Sequence, residues 1–187
     1  MESIDEILFE AEDKMDKSMD FFHEQFSGLR TGKASPALVE NVTVSYYGSM
    51  TRLRELAGIS TPEPRLIVIN AYDPTALAEI EKAILAANLG VTPMNDGRVI
   101  RIPIPELSTE RRVEMTKLAR RMAEDGRVAI RNVRREANDA VKALEKDGKT
   151  TEDERDEALK KIQKFTDDHI AKIDADLKAK EAEVMEV

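Results

Sequence analysis

Arginine is concentrated in one segment of a chain that is otherwise acidic. Residues 111–135 contain nine Lys or Arg and three acidic residues, a net charge of +6 against −8 for the whole chain, so the other residues together carry −14. Guanidinium groups bind phosphate through paired hydrogen bonds and stack on nucleobases, and ammonium groups do neither well. The segment therefore predicts a surface that binds a polyanion, on a protein that repels polyanions elsewhere.

Helical spacing places four of these arginines on one face. At about 100° per residue, Arg120, Arg127, Arg131 and Arg134 fall within about 60° over about 20 Å of helix, and Arg135 flanks them. The apolar positions of the segment fall on another face, so we expect the arginines to be open to solvent. The alternative is a solvated face whose arginines pair with acidic residues of neighbouring helices. The apolar positions are Met115, Leu118, Met122, Ala129, Val133, Ala137, Ala140 and Leu144.

The choice of arginine favours RNA as the ligand. Surface ion pairs contribute little to stability and do not require arginine, which weighs against pairing as the main role of this face. A net charge of −8 disfavours nonspecific binding to nucleic acid, and no motif that reads a groove of duplex DNA is present. The expected ligand is therefore an RNA that presents its phosphates in a fixed shape. Tyr46 and Tyr47 could stack on bases, although a tyrosine pair at a strand end more often packs at a core edge.

The sequence contains no recognisable catalytic or metal-binding motif. The absence of cysteine excludes disulfides, zinc–thiolate sites and cysteine nucleophiles, and it fits a reducing cytosol. No glycine-rich phosphate loop or nucleophile–base pattern is present, and His23 and His169 have no partner pattern. We therefore expect no enzyme, cofactor or metal site. Two alternatives remain open: a helical chaperone or adaptor whose methionine-containing seams bind proteins, and a hydrolase with an unrecognised site in the middle of the chain.

Three segments have apolar residues at helical spacing and predict long helices. The second begins at Ser108 or Thr109 and ends near Gly148. The third begins at Thr151, where Glu154 three residues later completes a capping box. Such seams can bury one another in a three-helix bundle. The seam of the first segment is Ile4, Leu8, Ala11, Met15, Met19, Phe22, Phe26 and Leu29.

Residues 31–105 have a different character and predict a small, β-rich α/β domain inserted into the bundle. Alternating runs at residues 42–46, 65–71 and 98–104 indicate strands, and residues 95–97 indicate a tight turn. Asp73, Pro74 and Gly90 frame one helix. The fold class is therefore α+β, with the bundle formed by residues 1–30 and 106–187.

The inserted domain is expected to move on two short linkers. The chain enters it at Arg30, Thr31 and Gly32 and leaves it at Pro103, Ile104 and Pro105. Two linkers restrain orientation more than one, but glycine and short loops still permit hinge motion. The acidic N-terminus does not match a signal peptide, and no apolar run approaches the ~20 residues that span a bilayer. We therefore expect a monomeric cytoplasmic protein without a membrane partner.

Five motifs, spread over most of the chain, together resemble the bacterial ribosome recycling factor family. They are Arg30-Thr31-Gly32-Lys33-Ala34-Ser35-Pro36, Tyr46-Tyr47-Gly48, Leu89-Gly90-Val91-Thr92-Pro93-Met94-Asn95-Asp96-Gly97, Ser108-Thr109-Glu110-Arg111-Arg112 and Arg131-Asn132-Val133-Arg134-Arg135. The resemblance implies a near-L-shaped molecule, similar in outline to transfer RNA. It also implies a translation factor that binds the post-termination ribosome, chiefly large-subunit ribosomal RNA, and splits it into subunits with elongation factor G and GTP.

The resemblance also implies roles for particular residues. The RNA contacts fall to Arg131, Arg134 and Arg135, with support from Arg111, Arg112 and Arg127. The first hinge strand is Arg30, Thr31 and Gly32, and the second is Ile104, Pro105 and Glu106.

Overall fold

Three long helices and a small β-rich unit make up the fold, which confirms the predicted α+β class. The computed structural model describes residues 3–186. The helices are α1 (Ile4–Ser27), α2 (Leu53–Leu56), α3 (Leu77–Ala86), α4 (Thr109–Lys146) and α5 (Glu152–Met185). The strands are β1 (Thr43–Tyr46), β2 (Ser49–Arg52), β3 (Ala57–Glu63), β4 (Leu66–Ala71), β5 (Met94–Asn95) and β6 (Ile100–Pro103).

The described residues divide into two compact units. Residues 3–26 and 116–185 form one, which holds α1, α5 and most of α4, and residues 27–115 form most of the other. We call them the helical unit and the sheet unit. No helix within residues 3–186 has the length and apolar character needed to cross a membrane.

Local sequence signals fix the junction between α4 and α5, as predicted. Gly148 has a φ of +72°, a conformation that glycine adopts without strain, and Lys149 N donates to the carbonyl of Leu144 at 2.9 Å. At the start of α5, Glu154 N donates to Thr151 Oγ1 at 3.2 Å, and Thr151 N donates to Glu154 Oε2 at 3.0 Å. This reciprocal pair is the predicted capping box.

The buried face of α4 differs from the predicted apolar seam. Its buried residues are Ala119, Ala123, Ile130, Ala137, Val141 and Leu144, of which only the positions 137 and 144 had been predicted. A Cβ atom at Gly126 would lie 3.2 Å from Ile173 Cδ1 and 3.3 Å from Phe22 Cδ2. The glycine therefore permits α4 to approach α1 and α5 closely, and the predicted seam residues Met115 and Met122 are only half-buried.

Aliphatic side chains on paired strands form the core of the sheet unit. One sheet contains β1 and β2, and the other has the antiparallel order β3-β4-β6-β5. Ile67 faces Ile102 and Ile69 faces Ile100 between β4 and β6, and all four side chains are fully buried. Such cross-strand pairs of β-branched residues stabilise a sheet.

Three strands and one helix of the sheet unit confirm predictions, and three strands were missed. The predicted runs contain β1, β4 and β6, and α3 buries Leu77, Ile80 and Ile84. The missed strands are β2, β3 and β5. Strand β2 has only one β-branched residue, β3 contains Gly58 and Pro62, and β5 has two residues, so none shows a period-two apolar pattern.

Candidate nucleic-acid interface

Arg127, at the centre of the predicted arginine face, is held by two carboxylates. Its Nε donates to Asp174 Oδ1 at 2.8 Å, and its Nη1 donates to Glu124 Oε2 at 3.0 Å. Only 19% of its side chain is exposed. The prediction that this arginine is open to solvent was therefore wrong. Because the buried seam of α4 is displaced, Arg127 lies at the edge of the contact with α5.

Two further arginines of the same face are paired but more exposed. Arg120 Nε donates to Glu181 Oε1 at 2.7 Å, and Arg131 Nη1 donates to Glu124 Oε1 at 3.2 Å. Their side chains are 63% and 40% exposed. The alternative interpretation, pairing with acids of a neighbouring helix, is thus correct for Arg120 and Arg127.

The two ion pairs between α4 and α5 follow a regular spacing. Arg120 pairs with Glu181, and seven residues later Arg127 pairs with Asp174, seven residues earlier on α5. The two helices are therefore antiparallel along this face. We call these two pairs the α4–α5 ladder.

Arg134 and Arg135 differ from the ladder arginines because neither has a side-chain partner within residues 3–186. Arg134 is half-buried and Arg135 is exposed. Arg121 is likewise exposed and unpaired within this range, although it was not among the predicted site residues. Helical spacing places Arg121 about 80° from Arg131 around the α4 axis, and this position could have identified it as a further exposed arginine.

Acidic residues of α4 and α5 neutralise part of the arginine face. Hydrogen bonds from Arg127 and then Arg131 hold the pKa of Glu124 below its ordinary value, so this carboxylate stays charged at neutral pH. The charge of Arg127 is further offset by Asp174. Of the predicted RNA-binding residues on this face, Arg134 and Arg135 are the two without a carboxylate partner within residues 3–186, and there the arrangement is suited to binding phosphate.

Arg111 and Arg112 lie in the first turn of α4, within the sheet unit. Arg111 Nη1 donates to Glu114 Oε2 at 3.0 Å in an exposed pair, and its backbone N–H donates to Ser108 Oγ at 3.2 Å. Arg112 is half-buried, and its backbone N–H donates to the carbonyl of Ser108 at 2.9 Å. The Ser108 side chain therefore caps this helix, and Ser108 is the first of the two positions at which the sequence predicted the helix to begin.

The predicted hinge residues occupy two segments of the sheet unit that have no helix or strand. Thr31 and Ile104 are buried, with 8% and 7% of their surfaces exposed. Gly32 has a φ of +80°, and a Cβ there would lie 3.3 Å from Leu107 Cγ. Glu106 forms an ion pair with Arg65.

The remaining predicted hinge residues differ in exposure. Pro105 is exposed and Arg30 is half-buried. The guanidinium of Arg30 covers Gly90, where a Cβ would come within 2.8 Å of Arg30 Nη1.

Both histidines contact carboxylates between α1 and α5, which the sequence analysis missed. His169 is buried; its Nε2 lies 2.8 Å from Asp16 Oδ1, and its Nδ1 lies 2.6 Å from the carbonyl of Phe165. His23 Nε2 lies 2.7 Å from Asp176 Oδ2. The signal in the sequence was a shared spacing: Asp16 and His23 are seven residues apart on α1, and His169 and Asp176 are seven residues apart on α5. Groups of three or more residues able to hold a metal are absent from residues 3–186.

The family model for "Ribosome recycling factor" matches residues 22–185 of this chain. The chain belongs to the ribosome recycling factor family. Its relatives in the family include the ribosome-recycling factor of Geobacillus kaustophilus, 53% identical over 97% of this chain and 98% of the relative. The Bacillus subtilis ribosome-recycling factor is 48% identical over the same shares of the two chains.

Solved structures from the family have the same fold. A solution structure of a ribosome recycling factor covers 100% of both chains with a TM-score of 0.84 and 42% identity. The T. thermophilus ribosome recycling factor has been described with the E. coli elongation factor G, bound to the E. coli post-termination complex. This chain is 42% identical to the matched chain, with a TM-score of 0.73, covering 98% of this chain and 100% of the other.

Proposed function

We propose that this protein binds the post-termination ribosome and, with elongation factor G and GTP, splits it into subunits for reuse. Membership of the ribosome recycling factor family carries the proposal. The T. thermophilus factor, described with elongation factor G bound to a post-termination complex, supports the same partners for this chain.

The large-subunit ribosomal RNA is the proposed ligand of α4. Arg131, Arg134 and Arg135 make the main contacts, and Arg111, Arg112 and Arg127 have supporting roles. The absence of an intramolecular partner for Arg134 and Arg135 within the described chain supports their place in this set. An arginine that already has two carboxylate partners, such as Arg127, must break or share those bonds to contact phosphate, which weakens its contribution.

Co-sedimentation with vacant 70S ribosomes across a salt series tests the binding step. When binding neutralises phosphates, the logarithm of the association constant falls linearly with the logarithm of the salt concentration. Removing one phosphate contact should therefore reduce the magnitude of this slope by about one. A splitting assay with and without elongation factor G and GTP tests the second step. Ribosome affinity that does not respond to salt would contradict the proposed RNA contact.

The domain division and the hinge are part of the proposal. The bundle of residues 1–30 and 106–187 holds the RNA, and residues 31–105 move on segments that include Gly32. Replacing Gly32 with Ala forces a side chain into a left-handed conformation, which costs roughly 1–2 kcal/mol. Gly48→Ala is a matched control, since Gly48 also has a φ of +80° and open space around a Cβ.

We expect Gly32→Ala to reduce subunit splitting more than ribosome binding, and Gly48→Ala to change neither beyond its cost in stability. Equal losses of splitting and binding in Gly32→Ala would show that Gly32 supports folding alone.

The protein is proposed to act without catalysis of its own, as a cytoplasmic monomer. Elongation factor G supplies the GTP hydrolysis in this mechanism, and the recycling factor transmits the resulting force. GTP turnover by the purified protein alone would contradict this assignment. Sedimentation equilibrium tests the monomeric state.

A further inference from the structure

The regular spacing of the α4–α5 ladder continues to a third position, where no ion pair forms among the described residues. Seven residues beyond Arg127 on α4 lies Arg134, and seven residues before Asp174 on α5 lies Asp167. The residue types at this third position therefore match those of the first two. Within residues 3–186, however, Arg134 has no ion pair or side-chain hydrogen bond.

Asp167 is instead engaged by a residue of its own helix. Gln163 Nε2 donates to Asp167 Oδ1 at 2.8 Å, one helical turn away. An amide donor satisfies one carboxylate oxygen without adding charge, and a hydrogen bond between such neighbours fixes the orientation of the carboxylate. Asp167 thus has a local partner where Asp174 and Glu181 have an arginine.

Polar pairing is also incomplete one turn further along α4. The side-chain oxygen of Asn138 is buried and accepts no hydrogen bond in the described chain. Among the described residues, α4 is therefore well paired at Arg120 and Arg127, whereas Arg134 and the buried oxygen of Asn138 lack side-chain partners.

We propose that Gln163 is a positioning residue that holds Asp167 away from Arg134 and so keeps the Arg134 guanidinium available for a phosphate group. The inference rests on the proposed function, because it concerns the RNA contact assigned to Arg134. Without the Gln163 side chain, Asp167 loses its partner, and Arg134 is the cation that the ladder spacing places opposite it. An ion pair between Arg134 and Asp167 then competes with RNA phosphate for the Arg134 guanidinium.

A double-mutant cycle on the free protein tests the internal pair without ribosomes. Arg134→Ala and Asp167→Asn are combined in the wild-type background and in the Gln163→Ala background, and urea unfolding is measured. We expect no coupling in the wild type. In Gln163→Ala we expect a coupling of about two- to fivefold in the unfolding equilibrium, the range of exposed ion pairs. No coupling in the Gln163→Ala background would overturn the proposal.

Ribosome co-sedimentation tests the consequence for binding. Gln163→Ala should raise the Kd by about two- to fivefold, because the ion pair must break before phosphate binds. The double variant Gln163→Ala/Asp167→Asn should restore the wild-type Kd. Gln25→Ala is the matched control, since Gln25 is the other glutamine of the chain and lies exposed on α1.

The outcomes separate this inference from the proposed function. If the wild type binds and Arg134→Ala weakens binding, but Gln163→Ala behaves as wild type, the positioning role is wrong and the RNA contact stands. A loss in Gln163→Ala that Asp167→Asn does not rescue also overturns the role. If the wild type fails to bind ribosomes, the proposed function fails, and the cycle on the free protein still decides whether Gln163 prevents the internal pair.

Discussion

Arg127 and Arg134 lie seven residues apart on α4, yet only Arg127 is held by carboxylates. Arg127 bonds to Glu124 and to Asp174 of α5, whereas the carboxylate at the matching position for Arg134, Asp167, bonds to Gln163. The number of arginines on a helix therefore does not measure the positive charge available to a ligand. The acidic residues of the neighbouring helix decide which guanidinium groups stabilise the bundle and which remain free for phosphate.

The double variant Arg134→Ala/Arg135→Ala should have the largest effect on function. Two charge-assisted contacts are lost, so we expect ribosome affinity to fall by on the order of 3 kcal/mol, or about a hundredfold. The free energy of unfolding should change by less than about 0.5 kcal/mol, since neither side chain has a partner within residues 3–186. Co-sedimentation and urea unfolding measure the two quantities. A loss of stability as large as the loss of affinity would remove the distinction between the two arginine groups.

Gly126→Val tests whether the pairing of Arg127 depends on the close approach of the helices. The added side chain overpacks against Ile173 and Phe22, so the bundle should lose about 1–3 kcal/mol of unfolding free energy. Ala143→Val, at an exposed position of α4, is the matched control and should cost less than about 1 kcal/mol. In the Gly126→Val background the effect of Arg127→Ala should shrink. An undiminished effect would mean that the pair tolerates separation of the helices.

Arg127→Ala should have the opposite effect to Arg134→Ala/Arg135→Ala, with a larger loss of stability and a smaller loss of ribosome affinity. Its pairs join α4 to α5 and its side chain is mostly buried, so we expect a loss of about 1 kcal/mol of stability, at the upper end of the range for ion pairs near a surface. Ribosome affinity should fall less than in Arg134→Ala. Arg121→Ala, which removes an unpaired arginine, controls for net charge in urea unfolding. Equal stability of the Arg127 and Arg121 variants would show that the ladder contributes nothing.

The pH dependence of stability should give the smallest effect. Because Arg127 lowers the folded-state pKa of Glu124 from its ordinary 4.5, the associated stability is fully present above pH 4.5 and is lost as the pH falls through the lower folded value. Urea midpoints at pH 6 and pH 3 should therefore differ less in Arg127→Ala than in the wild type. Arg135→Ala should keep the wild-type difference, and a difference as small as in Arg127→Ala would contradict this assignment.

Local signals in the sequence were sufficient for much of the fold. The capping box of Thr151 and Glu154 and the glycine at 148 act within a few residues, and they set the helix ends. In the run at residues 65–71, Ile67 and Ile69 are buried and alternate with less buried residues, so its period-two pattern was strong. The short strands β2 and β5 were missed because they form through pairing with neighbouring strands, and their own composition does not indicate a strand.

The sequence by itself determined that α4 carries a row of arginines with the chemistry to bind phosphate. Only the tertiary structure decided which of them are available. Arg127 and Asp174 are 47 residues apart in the chain, so no local pattern records their bond. Their meeting depends on the packing of α4 against α1 and α5, which is close at Gly126 and buries Ala119, Ala123 and Ile130. Periodicity locates a face of a helix, but the packing of its neighbours decides how much of that face remains open.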